Sequence, residues 1–280
     1  MNEHKSNIRI GKLLVDAGKL KLQDIEQIEN CQNRHGLSFG EAALKLGLVA
    51  EADIQQMLSQ QFPYPYMQAG ENGVSEELIA AYQPFSPQVE ILRSLRSQLM
   101  LRWFNEGNKQ LSLVASGPGE GCSYLSANLA IVFSQLGERT LLIDANLRNP
   151  RQHQLFNLPQ HQGLSDLLVG RADMDTIRKI PSLGKLSVLT SGAVPPNPQE
   201  LLGQPAFKSL MQELAKNYDI TLLDTPNGIL YADIQNIVTE TRGTLLVMRK
   251  HHTHMSAALA LKEQIANVKA QIVGVAFNEF

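Results

Sequence analysis

Two cysteines in 280 residues, Cys31 and Cys122, cannot build a disulfide framework, and such usage suits a reducing compartment. Charge of one sign is also lacking. The chain sets 25 basic residues against 27 acidic ones, a formal net charge of −2, so no global positive field recruits nucleic acid or an anionic membrane. No apolar run approaches the ~20 residues of a membrane span, and the opening "MNEHKSNIRIGKLL" has no apolar signal core. These absences predict a cytoplasmic protein, with any membrane role coming through a partner. Aromatics are sparse at 6%, with one tryptophan, Trp103, read with Phe104 as core. What is plentiful is aliphatic: a 43% hydrophobic share supports one large or two modest cores.

The first sixty residues contain a repeat. "RIGKLLVDAGKLKLQDIEQIENCQ" (9–32) aligns with "SFGEAALKLGLVAEADIQQMLSQQ" (38–61) at a constant offset of 29, matching Gly11 to Gly40, Gly18 to Gly47, Ile25 to Ile54 and Gln32 to Gln61. Each unit predicts a short helix, a glycine that ends it, and a second amphipathic helix. Two units can bury apolar faces on each other, giving a small all-α domain over residues 1–66. Four prolines in residues 62–87 predict a linker, 67–86, with one short helix around 75–82. Residues 88–104 are helical by spacing, with Ile91, Leu95, Leu99 and Trp103 as the expected inward stripe.

From there to the end, apolar runs alternate with helical segments. The runs are 110–116, 139–145, 186–192, 219–225, 243–249 and 271–278. They are apolar without alternation, as strands buried on both faces are. Residues 87–280 are therefore predicted to be α/β, a mostly parallel doubly wound sheet.

One junction carries chemistry. "SLVASGPGEGCSYLSANLA" (112–130) runs from a strand through Gly117, Pro118, Gly119, Glu120 and Gly121 into a helix starting at Cys122, Ser123 and Tyr124. Glycines let successive backbone N–H groups curl inward, and the helix adds its positive end, so the loop suits phosphate. By itself such a loop is equally a plain strand-to-helix turn. Two carboxylates change the balance. Asp144 ends "TLLID" and Asp224 ends "ITLLD", both at the carboxyl ends of strands, where α/β sheets bind ligands. A carboxylate in such a place is costly without a cation, and Mg²⁺ held by Ser123, Asp144 and Asp224 supplies one.

These residues resemble bacterial tyrosine kinases of polysaccharide assembly (BY-kinases), relatives of the division-site and plasmid-partition P-loop ATPases. "SGPGEGCS" looks like their Walker A, "LLIDANLR" like Walker A′, and "ITLLDTP" like Walker B. The helix bearing Glu90, Arg93 and Arg96 looks like their E-x-x-R-x-x-R segment, and Asn278 falls near where the base would sit. The resemblance implies a P-loop fold, ATP/ADP with Mg²⁺, a ring-like homo-oligomer built on the Glu-Arg helix, and a transmembrane polysaccharide co-polymerase as partner. Its activity would be ATP-dependent tyrosine autophosphorylation in control of exopolysaccharide chain length.

Three departures bear on activity. Cys122 stands in place of the lysine that grips the β and γ phosphates, Asn146 replaces the second aspartate of Walker A′, and no tyrosine cluster follows the last strand. Phosphate can still dock on the loop, while transfer is expected to be slow or absent, a pseudokinase or assembly scaffold being the alternative. A helix N-terminus lowers a thiol pKa, so Cys122 is expected to be partly ionised. Glu120 reads either as an aid to Mg²⁺ or as a solvated charge. "RKHHTH" (249–254) reads as a polar helix start rather than a metal site. The N-terminal repeat resembles the N-terminal domain of type II secretion and pilus assembly ATPases, some of which bind cyclic di-GMP. Arg9, Gly11, Gly18, Gly40 and Gly47 match that pattern. Ser38 stands where the second arginine would be, and Lys19 fills an expected apolar position, so a docking domain without ligand is the competing reading.

Overall fold

The computed structural model describes residues 11–50, 53–54, 65–67, 73–228 and 230–279. The chain forms two compact units, 1–64 and 65–280. Arg9 and Gln61 lie outside the described residues.

The first unit repeats its backbone devices as well as its sequence. Residues 11–16 are helical, followed by helices Leu22–His35 and Phe39–Lys45. Gly18 and Gly47 take φ +70° and +66°, the left-handed turn that closes a helix and that glycine adopts without strain. The Lys21 N–H donates to Asp24 Oδ2 at 2.9 Å, and the Ala50 N–H donates to Asp53 Oδ2 at 3.1 Å, the same local contact in both copies. Leu14, Ile28, Phe39, Ala42 and Ala43 form the core. A Cβ on Gly11 would lie 2.9 Å from the Phe39 ring, and one on Gly40 would lie 3.3 Å from Ile54. Lys19, at its supposedly apolar position, reaches Asp53 at 2.9 Å and holds that carboxyl below its usual range. Ser38 is an N-cap: its Oγ accepts from the Glu41 N–H, and its own N–H donates to Glu41 Oε2.

Among the described residues of the second unit, seven strands form one sheet in the order β3-β4-β2-β5-β1-β6-β7. They are β1 Gln110–Ala115, β2 Thr140–Asp144, β3 Arg178–Ile180, β4 Leu186–Leu189, β5 Ile220–Asp224, β6 Gly243–Arg249 and β7 Gln271–Asn278. All pairs are parallel except β3 with β4. Six strands coincide with the apolar runs. The seventh, β3, is a three-residue edge strand with two exposed side chains, too short and polar for periodicity to find. β7 departs from the expectation of two buried faces, because it is the other edge and most of its side chains are partly or fully exposed.

Two sequence expectations change here. Within the presumed linker, Met67, Val74, Leu78, Ala80 and Ala81 are buried in the main core. The Ala80 N–H donates to buried Asn128 Oδ1 at 3.0 Å, and Gln135 Nε2 donates to the carbonyls of Pro65 and Ala80. This segment is a strap on helix Cys122–Gln135, because its apolar residues outweigh its prolines. In helix Pro87–Arg102, the inward residues are Val89, Leu92 and Leu99, continued by Trp103, while Ile91 is 69% exposed. The stripe follows alternating steps of three and four, which turns Arg96 inward. Its Nη1 donates to the Val132 carbonyl at 2.7 Å. Arg93 pairs with Glu90 one turn away. The three charged residues therefore do not share one solvent face. Trp103 and Phe104 are core, as expected.

Candidate functional site

The sheet register builds the site. β1 and β2 flank β5, and Asp144 lies directly opposite Asp224 across the β2–β5 pair. β1 then delivers the chain into the glycine loop and helix Cys122–Gln135. Gly119 and Gly121 take φ +73° and +87°, left-handed turns that bend the loop back before the helix.

The loop carbonyls are held outward. Pro118 O faces His252 Nε2 at 3.1 Å, Gly119 O accepts from Arg249 Nη1 at 3.1 Å, and Glu120 O accepts from Asn278 Nδ2 at 2.8 Å. In a trans peptide the next N–H points opposite to the carbonyl. The amides of Gly119, Glu120 and Gly121 therefore face the other way, into the loop, and have no acceptor among the described residues. Three convergent amides at the start of a 14-residue helix make an anion cradle. The "RKHHTH" segment thus clamps the loop from outside, with helix Met255–Asn267 beginning just after it. Asn278 belongs to the same clamp.

Glu120 is not a solvated charge. It is 3% exposed. It accepts from the Ser116 N–H at 2.8 Å, the Ser116 hydroxyl at 2.7 Å and the Thr253 hydroxyl at 2.8 Å. Its carboxylate is spent closing the loop, and Thr253 is a partner that only the fold brings to it.

Cys122 is buried, and its Sγ donates to the Leu113 carbonyl at 3.1 Å. Burial, then the Asp224 carboxylate, push the thiol well above its ordinary range. This overturns the expectation of partial ionisation. The helix dipole is outweighed because the side chain turns to the Leu113 carbonyl of β1, next to Asp224. The position therefore supplies phosphate with neither a cation nor a thiolate.

Both aspartates are fully buried. Asp144 accepts from the N–H groups of Arg151 (3.0 Å), Gln152 (2.9 Å) and Asn146 (3.3 Å). Burial, then the neighbouring Asp224, push its pKa well above the carboxylate range. Burial also raises Asp224, opposed by the Ser123 hydroxyl and by Gln152. Gln152 Nε2 donates to Asp224 Oδ2 at 2.8 Å and to the Ser123 carbonyl at 3.1 Å. Among the described residues, Asp224 Oδ1 and Gln152 Oε1 have no hydrogen-bond partner. Two buried orphan acceptors beside Ser123 fit a hard cation such as Mg²⁺, which takes oxygen ligands. Asn146 is in the same turn, where its Oδ1 accepts from the Asn149 N–H. Arg148 binds buried Asp233 through two bonds (2.7 and 3.0 Å) and lies 4.3 Å over the Tyr231 ring. No spacing rule marks a lone glutamine, so Gln152 emerges as a site residue only in the fold.

Among the described residues no group of three or more His, Cys, Asp and Glu could hold a metal. No described helix is long and apolar enough to cross a membrane.

The family model described as "Cellulose biosynthesis protein BcsQ" matches residues 108–273. The chain is 35% identical to the tyrosine-protein kinase YwqD of Bacillus subtilis (strain 168) over 205 residues, 73% of this chain and 86% of YwqD. It is 34% identical to the putative tyrosine-protein kinase EpsB of Ralstonia solanacearum over 201 residues, 72% of this chain but only 27% of EpsB. This chain thus matches about a quarter of the latter's length. Among solved structures, the chimerical protein CapA2B2 superimposes with a TM-score of 0.70 at 32% identity, covering 80% of this chain and 97% of that one. The septum site-determining protein MinD of Pyrococcus horikoshii, solved with Mg-ADP, has a TM-score of 0.52 at 20% identity over 60% of this chain and 69% of its own, a likeness of fold alone. With its parallel sheet, glycine loop and paired aspartates, the chain belongs to the bacterial tyrosine-protein kinase family.

Proposed function

We propose that this chain is a nucleotide-binding subunit of the tyrosine-kinase family that regulates exopolysaccharide chain length with a transmembrane co-polymerase, and that its phosphoryl transfer is weakened. The reading is carried by one contrast. The amides of Gly119, Glu120 and Gly121 turn away from their clamped carbonyls and Asp224 Oδ1 has no partner among the described residues, yet Cys122 turns its thiol to Leu113 O. Binding needs the backbone cradle and Mg²⁺, which adds charge neutralisation and polarises the phosphoryl oxygens. Transfer needs charge neutralised on the moving group. Losing one such preorganised contact lowers rate by ~10²–10³, about 3–4 kcal/mol.

Calorimetric titration of ATP and ADP, with and without Mg²⁺, into wild type and Cys122→Lys tests this. Wild type is expected to bind with Mg²⁺ dependence, and Cys122→Lys to bind more tightly and to gain autophosphorylation. Wild type that binds no nucleotide overturns the reading. Robust tyrosine phosphorylation by wild type overturns the weakened-transfer part.

The buried thiol specifically favours a second reading, a nucleotide-responsive assembly scaffold without kinase activity. Self-association is assigned to the Glu-Arg helix. Its contacts to a second copy would come from Glu90 and Arg93, with Arg96 fixing the helix to its own domain. Charge reversal at Arg93 should yield a monomer on sizing. The N-terminal unit is assigned a docking role, because Gly11, Gly18, Gly40 and Gly47 each have a packing or turn requirement of their own. Heat on titrating cyclic di-GMP into the full chain would instead make it a second-messenger sensor.

A further inference from the structure

With Cys122 in the lysine position, the cations on the segments around the loop matter. Arg148 is committed to buried Asp233 by two hydrogen bonds. Arg249 donates to Gly119 O from outside the loop, and Lys250 pairs with Glu279 at 2.8 Å. Arg151 differs. Its backbone N–H is anchored on Asp144 Oδ2. The next residue, Gln152, bonds both Asp224 and the Ser123 carbonyl. Arg151 is therefore the chain neighbour of the residue that bridges Asp224 and the start of the loop helix. Its guanidinium pairs with Glu77 of the strap, and both side chains are about half exposed, at 42% and 52%. The pair lies beside the start of the loop helix, since the Glu77 charge raises the pKa of Tyr124 after burial has done so. Asp224 senses Arg151 as a cation that lowers its pKa, in opposition to burial.

We propose that Arg151 is the phosphate-binding cation of this site, exchanging Glu77 for the terminal phosphate of a bound nucleoside triphosphate and so replacing the absent lysine. The proposal rests on the nucleotide-binding reading above. An exposed ion pair is weak, with little preference for staying made. Phosphate offers the planar guanidinium two parallel charge-assisted bonds, a stronger match. Because the strap carries Glu77, its carboxylate competes with the nucleotide for the same side chain.

Two substitutions separate this from a structural role for the pair. Arg151→Gln and Glu77→Gln both break the ion pair, but only the first removes the cation. In titrations of ATP–Mg²⁺ into the full chain, Arg151→Gln should weaken binding about tenfold. ADP binding should change less, and Arg151→Lys should recover part of the loss. Glu77→Gln should leave ATP affinity unchanged or raise it. In a Cys122→Lys background the penalty of Arg151→Gln should shrink, because two cations would then serve one phosphate. If Arg151→Gln binds ATP as wild type does, or if both variants weaken ATP and ADP alike, this role for Arg151 is wrong while nucleotide binding stands. If wild type binds neither nucleotide, the reading beneath it fails and this proposal falls with it.

Discussion

The two units put the same backbone turn to opposite uses. In the N-terminal repeat, the amides around Gly18 and Gly47 find carbonyls within their own helices: Lys19 N–H donates to Leu14 O at 2.9 Å, and Leu48 N–H to Ala43 O at 3.1 Å. In the glycine loop, Gly119 and Gly121 turn the same way, but the neighbouring amides have no acceptor among the described residues. A satisfied turn is finished architecture. An unsatisfied one is a cost that a ligand offsets. The glycines share a left-handed φ in both, so the fate of the neighbouring amides, not the backbone turn, separates a structural glycine from a binding one.

The comparison is tested hardest at Asp224. Its pKa is raised, so its ionised form is unfavourable in the folded chain. The associated stability is present at low pH and lost as pH rises through the raised value. Near neutral pH, Asp224→Asn should therefore abolish Mg²⁺-dependent nucleotide binding and raise the ligand-free protein's stability by about 1–2 kcal/mol, read by calorimetry and thermal melting. A lower Tm would mean the carboxylate is structural. Next in size, Glu120→Ala strips Ser116 and Thr253 of their acceptor and should cost about 2–3 kcal/mol with weaker ATP binding. If ATP binding is unaltered, the loop needs no internal brace. Gly47→Ala should cost about 1 kcal/mol in the melting of the first unit and leave nucleotide affinity untouched. A change in affinity would merge the two classes of glycine. The smallest effect belongs to Asp219, paired with Arg139 at 2.6 Å. That hydrogen bond holds its carboxyl down to about 2, so its contribution is complete above the ordinary carboxylate pKa and disappears as pH falls toward 2. Asp219→Asn should cost at most about 1 kcal/mol, a control away from both groups of glycines.

The sheet was legible because β1, β2, β4 and β5 are short apolar runs between turn signals, and Asp144 and Asp224 stand out at their ends. What stayed hidden depended on three dimensions. Ile91 fits a four-residue step as well as Leu92 fits a mixed one, and only packing against the core selects Val89, Leu92 and Leu99. Cys122 sits at a helix start, where a dipole argument favours the thiolate, yet its rotamer sends it into the sheet. Arg249, His252 and Thr253 are more than 120 residues away from the loop they clamp, and Glu77 and Arg151 meet across 74 residues. Local pattern cannot report such partners.

The outward grip on the loop has a consequence for synthesis. Residues 116–123 leave the ribosome ahead of the side chains that orient their peptides, which belong to the segment after β6 and to the tip of β7. A nascent chain halted before residue 278 carries the complete glycine motif without the means to aim it. Competence to capture nucleotide should thus wait until β7 has docked, which protects shorter nascent chains from engaging ligand in the wrong shape.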